Sequence, residues 1–316
     1  MKNIRYILLL LLAAPVAIAQ NGEEVFAFLR YPSSARINAL GGNHISIIER
    51  DPSLAFHNPA LLGAEMDKMV NLNYMNFVSD INLGSALFTK AMGEKSAWGA
   101  GANFINYGNF KQTVAENIVT GDFSVKDIGL HAFYSRDLSE RWRGGLSLKF
   151  LYASLESYTS FGLAVDAGLS YYLSEKDFSL GIALKNIGAQ LKAYDEKRAK
   201  MPWDIQLGAS KKMAHAPFRL SLTAMYLTRL SLKTFTKHLV LGLDYVPSEN
   251  FWVGIGFNPK TNLDMKLQGG NVLSGFSAGA GVSVKMFNIG ASVAKYHPSA
   301  LSLMVSISTT LSDFKP

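Results

Sequence analysis

The residues best able to bind a metal or move a proton at neutral pH are the histidines: His44, His57, His131, His215, His238 and His297. No two of them stand at a metal-ligand spacing, and none lies beside a nucleophile motif. The chain has no Cys, which removes thiolate metal sites, disulfides and a cysteine nucleophile together. "WGAGANF" lacks the third glycine and the helix of a dinucleotide site, and no phosphate-binding GKS/T loop is present. Catalysis is therefore not expected, and neither a cofactor nor a metal is implied. His44 and His57 are the best remaining candidates, although the commoner role for such residues is a hydrogen-bonded interior histidine. Lys149, Asp166 and Lys185 form the other chemical group, three charges on the polar faces of apolar-patterned segments.

The elements that position these residues are strands. From Lys68 onward the pattern repeats every two residues. "RGGLSLKFLY" sets Leu146, Leu148, Phe150 and Tyr152 against Ser147, Lys149 and Leu151, and "FGLAVDAGLSYY" sets Phe161, Leu163, Val165, Ala167 and Leu169 against Gly162, Ala164, Asp166, Gly168 and Ser170. "GFSAGAGVSVK" and "ALSLMVSIS" repeat the scheme. Fourteen such segments are expected: 68–77, 81–90, 96–107, 128–136, 142–154, 160–173, 177–187, 203–212, 217–228, 237–247, 250–259, 275–285, 287–296 and 300–311. The best of them reach about ten residues, a length that suits a tilted membrane strand.

A sandwich would bury the apolar faces between two sheets, whereas an outer-membrane barrel turns them to lipid. The connections decide between the two. Those after even-numbered segments are tight, and the three longest, 108–127, 188–202 and 260–274, follow odd-numbered ones. That parity belongs to a barrel. The expected fold is all-β, a 14-stranded antiparallel transmembrane β-barrel at 68–316. Trp98, Trp142, Tyr152, Trp203, Tyr226, Tyr245, Trp252 and Tyr296 are candidates for the interfacial girdles.

Two segments precede the strands. "MKNIRYILLLLLAAPVAIAQ" has a basic start, an apolar run of about 12 residues and an Ala17-Ile18-Ala19 ending, so 1–19 reads as a signal peptide, too short for a membrane anchor. Removing Lys2 and Arg5 lowers the formal charge from +7 to +5, scattered along the chain. That distribution and the export signal exclude nucleic acid as a partner. The second segment, 20–67, is apolar but irregular, with Gly41-Gly42, Pro52 and Pro59 as breakers. Its backbone must find partners somewhere buried. A 14-stranded barrel is too wide to be filled by its own side chains, so 20–67 is expected to plug the lumen, entering from the end where both termini lie. Gly99, Gly101, Gly279 and Gly281 suit lumen positions close to such a plug.

"VFAFLRYPSSARINALGG" followed by "NPALL" resembles the opening of the PorV/PorQ family of the type IX secretion system of Bacteroidetes, most closely the PorQ type. The matching positions include Pro32, Ser34, Ala35, Arg36, Leu40, Gly41, Gly42, Asn58, Pro59 and Ala60. An acidic cluster common before "NPALL" in that family is interrupted here as Glu49-Arg50-Asp51. The Asn-Pro-Ala element is also similar to that of FadL-type fatty-acid channels. The resemblance implies an integral outer-membrane protein with both termini periplasmic, a barrel anchor and docking platform for the cell-surface cargo-attachment complex. Its implied partners are outer-membrane lipids and the surface proteins of that complex, contacted through the three long loops. The alternative it carries is a FadL-like channel for hydrophobic small molecules.

Last comes a register. A hairpin centred between Ser157 and Tyr158 pairs Lys149 with Asp166, and a turn centred between Glu175 and Lys176 pairs Asp166 with Lys185. Both keep the apolar faces in phase, so Asp166 is expected between two lysines on the lumen wall.

Overall fold

The computed structural model describes residues 24–113, 119–194, 197–230, 232–265 and 273–314. The expected signal peptide lies outside them. Fourteen antiparallel strands close into a barrel: β1 (Met69–Val78), β2 (Ile81–Ala91), β3 (Ser96–Thr113), β4 (Val119–Asp137), β5 (Trp142–Leu155), β6 (Tyr158–Leu173), β7 (Phe178–Lys192), β8 (Asp204–Lys212), β9 (Phe218–Ala224), β10 (Leu239–Ser248), β11 (Phe251–Phe257), β12 (Phe276–Val284), β13 (Phe287–His297) and β14 (Ala300–Thr310). Each strand pairs with its sequence neighbours, and closure comes from β1 on β14, where Met69 faces Thr310. No sheet edge is left within the closed wall.

The wall follows the alternation of the sequence. Leu146, Leu148 and Phe150 are exposed on its outer face, while Ser147, Lys149 and Leu151 are buried on the inner one. Leu301, Leu303, Val305 and Ile307 are likewise exposed, with Ser302, Met304 and Ser308 buried. Apolar residues outside and small polar residues inside is the arrangement of a wall facing hydrocarbon.

Three boundaries differ from those expected. β3 and β4 run on to 18 and 19 residues, so most of 108–127 is a projecting ribbon and not a loop. Its sequence does not alternate apolar with polar because, past the end of the neighbouring strands, no face meets lipid. Conversely, β9 stops at Ala224 and β10 starts at Leu239, so 225–228 and 237–238, expected in strands, belong to the connection between them. Tyr226 there adopts a left-handed conformation (φ 58°) that ends the extended run. Finally, β7 extends to Lys192, which leaves 193–203 as its loop, and 258–275 carries the short helix α2 (Pro259–Asp264) capped by Asn258.

Residues 24–67 line the inner face as short helical turns, including α1 (Ala35–Ala39). The direction of this inner segment overturns one expectation. Glu24 meets Arg229 at 2.6 Å, and the Val25 amide donates to the Lys200 carbonyl, both among the long loops. At the other end Leu311 N–H donates to the Lys68 carbonyl, and Glu65 pairs with Arg143 beside the short turn before β5. The segment therefore crosses the lumen from the loop end to the short-turn end. The described N-terminal end and the end of β14 lie at opposite mouths. An even strand count places only the start of β1 and the end of β14 together; a segment ahead of β1 is free to cross.

Candidate functional site

Inward hydroxyls of the wall supply the partners that the irregular backbone of the inner segment needs. Ser85 donates to the Ser33 carbonyl, Thr89 to Met66, Ser135 to Leu62, Ser179 to Ser46 and Ser277 to Ala39, while Ser306 accepts from the Ala35 amide, all at 2.6–3.0 Å. Pairing each buried carbonyl avoids a penalty of about 1–3 kcal/mol per orphaned group.

The motif residues have separate duties. Ser34 caps α1 through its hydroxyl, which accepts from the Ile37 amide. Gly41 and Gly42 turn the chain at φ 96° and 91°, a region open to glycine at little cost. Asn58 is a hub: its Oδ1 accepts from the Ala60 amide, and its Nδ2 donates to the Ile45 and Leu169 carbonyls. Pro59 occupies the first helical position after it, where its missing N–H costs nothing.

The wall makes room for this turn with glycine. A Cβ on Gly168 would sit 1.9 Å from Asn58 Oδ1, and one on Gly145 would sit 2.3 Å from the Pro59 carbonyl carbon. Of the four glycines expected near the segment, Gly101 approaches Phe56 and Gly279 approaches Ala39, but Gly99 and Gly281 abut the wall's own residues.

At the short-turn end two arginines and two carboxylates form a closed square. Arg36 pairs with Glu49 and Asp244 at 2.8 Å each; Arg219 pairs with Glu49 at 2.6 Å and with Asp244 at 2.9 Å. Arg36 also lies 4.3 Å above the Trp252 ring. The square ties α1 and the stretch before Pro52 to β9 and β10. Burial alone would raise the Glu49 carboxyl, but Arg219 and Arg36 outweigh it and hold its pKa at about 2. Glu49, set in the interrupted acidic stretch, thus has a defined electrostatic partner set. Arg219 and Asp244 were not singled out from the sequence, because each is a lone charge on an otherwise ordinary strand.

Lys149, Asp166 and Lys185 are brought together by β5, β6 and β7. Asp166 Oδ2 lies 2.7 Å from Lys149 Nζ and 2.6 Å from Lys185 Nζ, with Asp166 fully buried. The ladder differs from the expected register. Asp166 faces Ser147, and Lys149 faces Ala164, because the hairpin closes through Glu156 and Ser157, with Glu156 left-handed at φ 55°. Lys149 reaches Asp166 diagonally. On the other side the β6–β7 ladder shifts between Val165 and Ala167, and Lys185 and Asn186 share the place opposite Asp166. This bulge points the Asn186 amide at Asp166 Oδ1, 2.7 Å away. Lys185 also donates to the Phe56 carbonyl, which couples the cluster to the inner segment.

The two histidines of the inner segment are buried and hydrogen-bonded. His57 Nε2 accepts from the Ser33 amide and its Nδ1 donates to Asn43 Oδ1. Burial, reinforced by Lys185, lowers its pKa to about 3. His44 lies between the Leu40 carbonyl and the Thr223 hydroxyl, and burial lowers it to about 4. Both are neutral at pH 7. Among the described residues no cluster of His, Asp and Glu is arranged to hold a metal.

The loop-end half holds an apolar cluster beside the buried polar Asp127, Ser160, Gln190 and Asp204. Phe26, Phe28, Met75, Leu83, Ile105 and Met304 pack with Tyr31, Phe77 and Tyr296. Tyr296, Trp252 and Tyr226, expected in the girdles, instead serve the interior. Tyr296 donates to Asn38 Oδ1, Trp252 stacks on Arg36, and Arg30 lies 5.0 Å over Tyr226. Two cavities of about 30 and 20 Å³ flank Phe56 and His57, each of a size for water alone. At the short-turn end a vestibule of about 660 Å³, lined by both charged and apolar side chains, opens above the charge square.

No model of a known family and no curated protein matches the chain. Solved structures do. The Pseudomonas putida toluene transporter TodX superimposes with a TM-score of 0.58 at 12% identity, over 89% of this chain and 98% of that one. A Pseudomonas aeruginosa FadL homologue gives 0.56 at 12% identity, over 92% and 100%. This is the FadL-like barrel fold. The CymD monoaromatic hydrocarbon channel agrees, with a TM-score of 0.59 at 12% identity over 89% and 98%. The likeness to the PorV/PorQ family rests on the opening motif alone.

Proposed function

We propose that this chain is a FadL-like outer-membrane channel for hydrophobic small molecules, held shut by its inner segment acting as a plug. The observation that carries the reading is the apolar cluster at the loop end of the lumen, filled by the chain's own Phe26 and Phe28. Aromatic side chains there stand where an apolar solute would be held, and the fold is shared with proteins described as transporting toluene and monoaromatic hydrocarbons. The catalytic groups the sequence lacks are not needed for this role. The test is uptake of toluene by proteoliposomes or by cells expressing the full chain. Saturable uptake above that of empty membranes supports the channel, and uptake equal to the background counts against it.

A second reading is favoured by one feature, the smallness of the two cavities inside the described lumen, about 30 and 20 Å³. A barrel filled so closely suits an anchor for the type IX attachment complex, with the projecting β3–β4 ribbon and the loops as contact surfaces. Surface proteins co-purifying with the barrel, and cargo shed from cells that lack it, favour this reading over the channel.

A further inference from the structure

The outer wall is not uniform. β9 and β11 have seven residues each, fewer than the nine to eleven a tilted strand uses to cross hydrocarbon. Over these short strands the outer face is hollowed into an apolar groove of about 530 Å³. Ala209 provides its low floor, and Leu220, Leu222, Leu243 and Ile255 its sides. Phe257 and Phe276, with ring centroids 4.5 Å apart, close the loop-end side.

At the short-turn end the lining changes character. Lys211 follows Leu207 and Ala209 on the same outward face of β8, and it is exposed at the short-turn end of the strand. A lysine on a lipid-facing surface belongs at headgroup depth, with its stem along the apolar wall. Its ammonium donates to the Lys176 carbonyl, which brings a second exposed lysine to the same turn. Of the acids nearby, Glu175 is paired with Arg141, and Asp177, which accepts from the Tyr172 hydroxyl, offsets one of the two lysines, which leaves one positive charge in excess. The groove is thus apolar along its length and cationic at one rim.

We propose that this groove is a binding site for one anionic glycerophospholipid of the leaflet at the short-turn end, with an acyl chain over Ala209 and the phosphate on Lys211. The groove faces hydrocarbon in a wall of this kind, so an acyl chain is the occupant its surroundings supply. The lysine rim selects among headgroups. Because the strands beneath are short, a lipid held there also fills the apolar height the wall lacks.

The test is native mass spectrometry of the full chain in mild detergent with phosphatidylglycerol or phosphatidylcholine added. One retained phosphatidylglycerol is expected, favoured over phosphatidylcholine about fivefold, the worth of a single surface lysine contact. Ala209→Trp, which fills the floor, should abolish retention of both lipids. Lys211→Gln, at an exposed rim where folding is not at stake, should abolish the preference and leave retention. Retention unchanged in Ala209→Trp, or no preference in the intact chain, overturns the site. A membrane protein that co-purifies with the intact chain and is lost on Ala209→Trp also overturns it, in favour of a protein partner.

Discussion

The two ends of the lumen hold the same segment by different means. Apolar packing marks the loop end, whereas the short-turn end sets a charge square beside a second apolar cluster of Phe56, Leu62 and Met66. At the loop end Phe26, Phe28 and Tyr31 are packed by area, against side chains that would accept any apolar body of similar size. At the short-turn end Arg36 and Glu49 are held by geometry, in a square with Arg219 and Asp244 that no apolar body could replace. Apolar contact is non-directional and tolerant of substitution, whereas a buried charge is strongly penalised once its partner is removed. The contrast assigns the stopper to one half and the latch to the other.

The largest effect should come from breaking the latch. Asp244→Ala leaves Arg36 and Arg219 facing each other with one carboxylate between them, at a cost of about 3–5 kcal/mol. Limited trypsin digestion should then cut faster at Arg50, an exposed side chain one residue beyond the square; an unchanged rate would show that the square is not what holds the segment. Asp166→Ala should behave similarly by stranding two lysines, and should lower the urea midpoint in detergent more than Lys149→Ala or Lys185→Ala. Equal losses from all three would mean the cluster is not centred on Asp166.

Next in size is the stopper. Phe28→Ala removes a buried ring at a cost of about 3 kcal/mol and enlarges the neighbouring cavity. Toluene should raise the thermal midpoint of this variant and leave the rate of trypsin cutting at Arg50 unchanged. A Phe28→Ala protein that toluene does not stabilise would erase the distinction between the halves.

Smaller again is the fit of the Asn58 turn against the wall. Gly168→Ala sets a Cβ on Asn58 Oδ1 and should cost about 1–3 kcal/mol through forced displacement. Gly93→Ala, which meets nothing within 4 Å of its Cβ, is the control for bulk alone, although its φ of 70° carries a backbone cost of its own. Urea midpoints of the two variants compare them, and a loss at Gly93 as large as that at Gly168 would remove the packing argument.

The smallest effect is that of acid. His44 and His57 have folded pKa values near 4 and 3, below the unfolded 6.5, so in the window between these values the released state binds protons that the packed state does not. Stability must therefore fall as pH drops from 6.5 toward 4. Glu49, lowered to about 2, adds a loss that begins near pH 4.5. Amide exchange in 40–60 should quicken over that range, and a flat response would contradict the burial of both rings.

Much of the wall was legible in the sequence because alternation is a local signal. Fourteen strands, the outward set Leu146, Leu148 and Phe150, and the short turns at one end all follow from period two. The ribbon of β3 and β4 was not legible, since strands beyond the membrane lose the apolar face that marks them. The β5–β6 register was also missed: a two-residue shift leaves every side chain on its own face, so Ser147 and Lys149 were indistinguishable as the partner of Asp166. The direction of the inner segment depends on Glu24 meeting Arg229, and the charge square on Arg219 meeting Asp244 and Glu49. Glu24–Arg229 and Glu49–Arg219 each span more than 150 residues, and such pairings leave no periodic trace.

The central claim, that the inner segment closes the lumen, is tested most directly by electrical conductance in planar bilayers. The intact chain should be silent, and a chain lacking Gln20–Asp67 should insert with a steady open conductance. Porin-like conduction by the intact chain, or silence from a folded, heat-modifiable deletion, would contradict it.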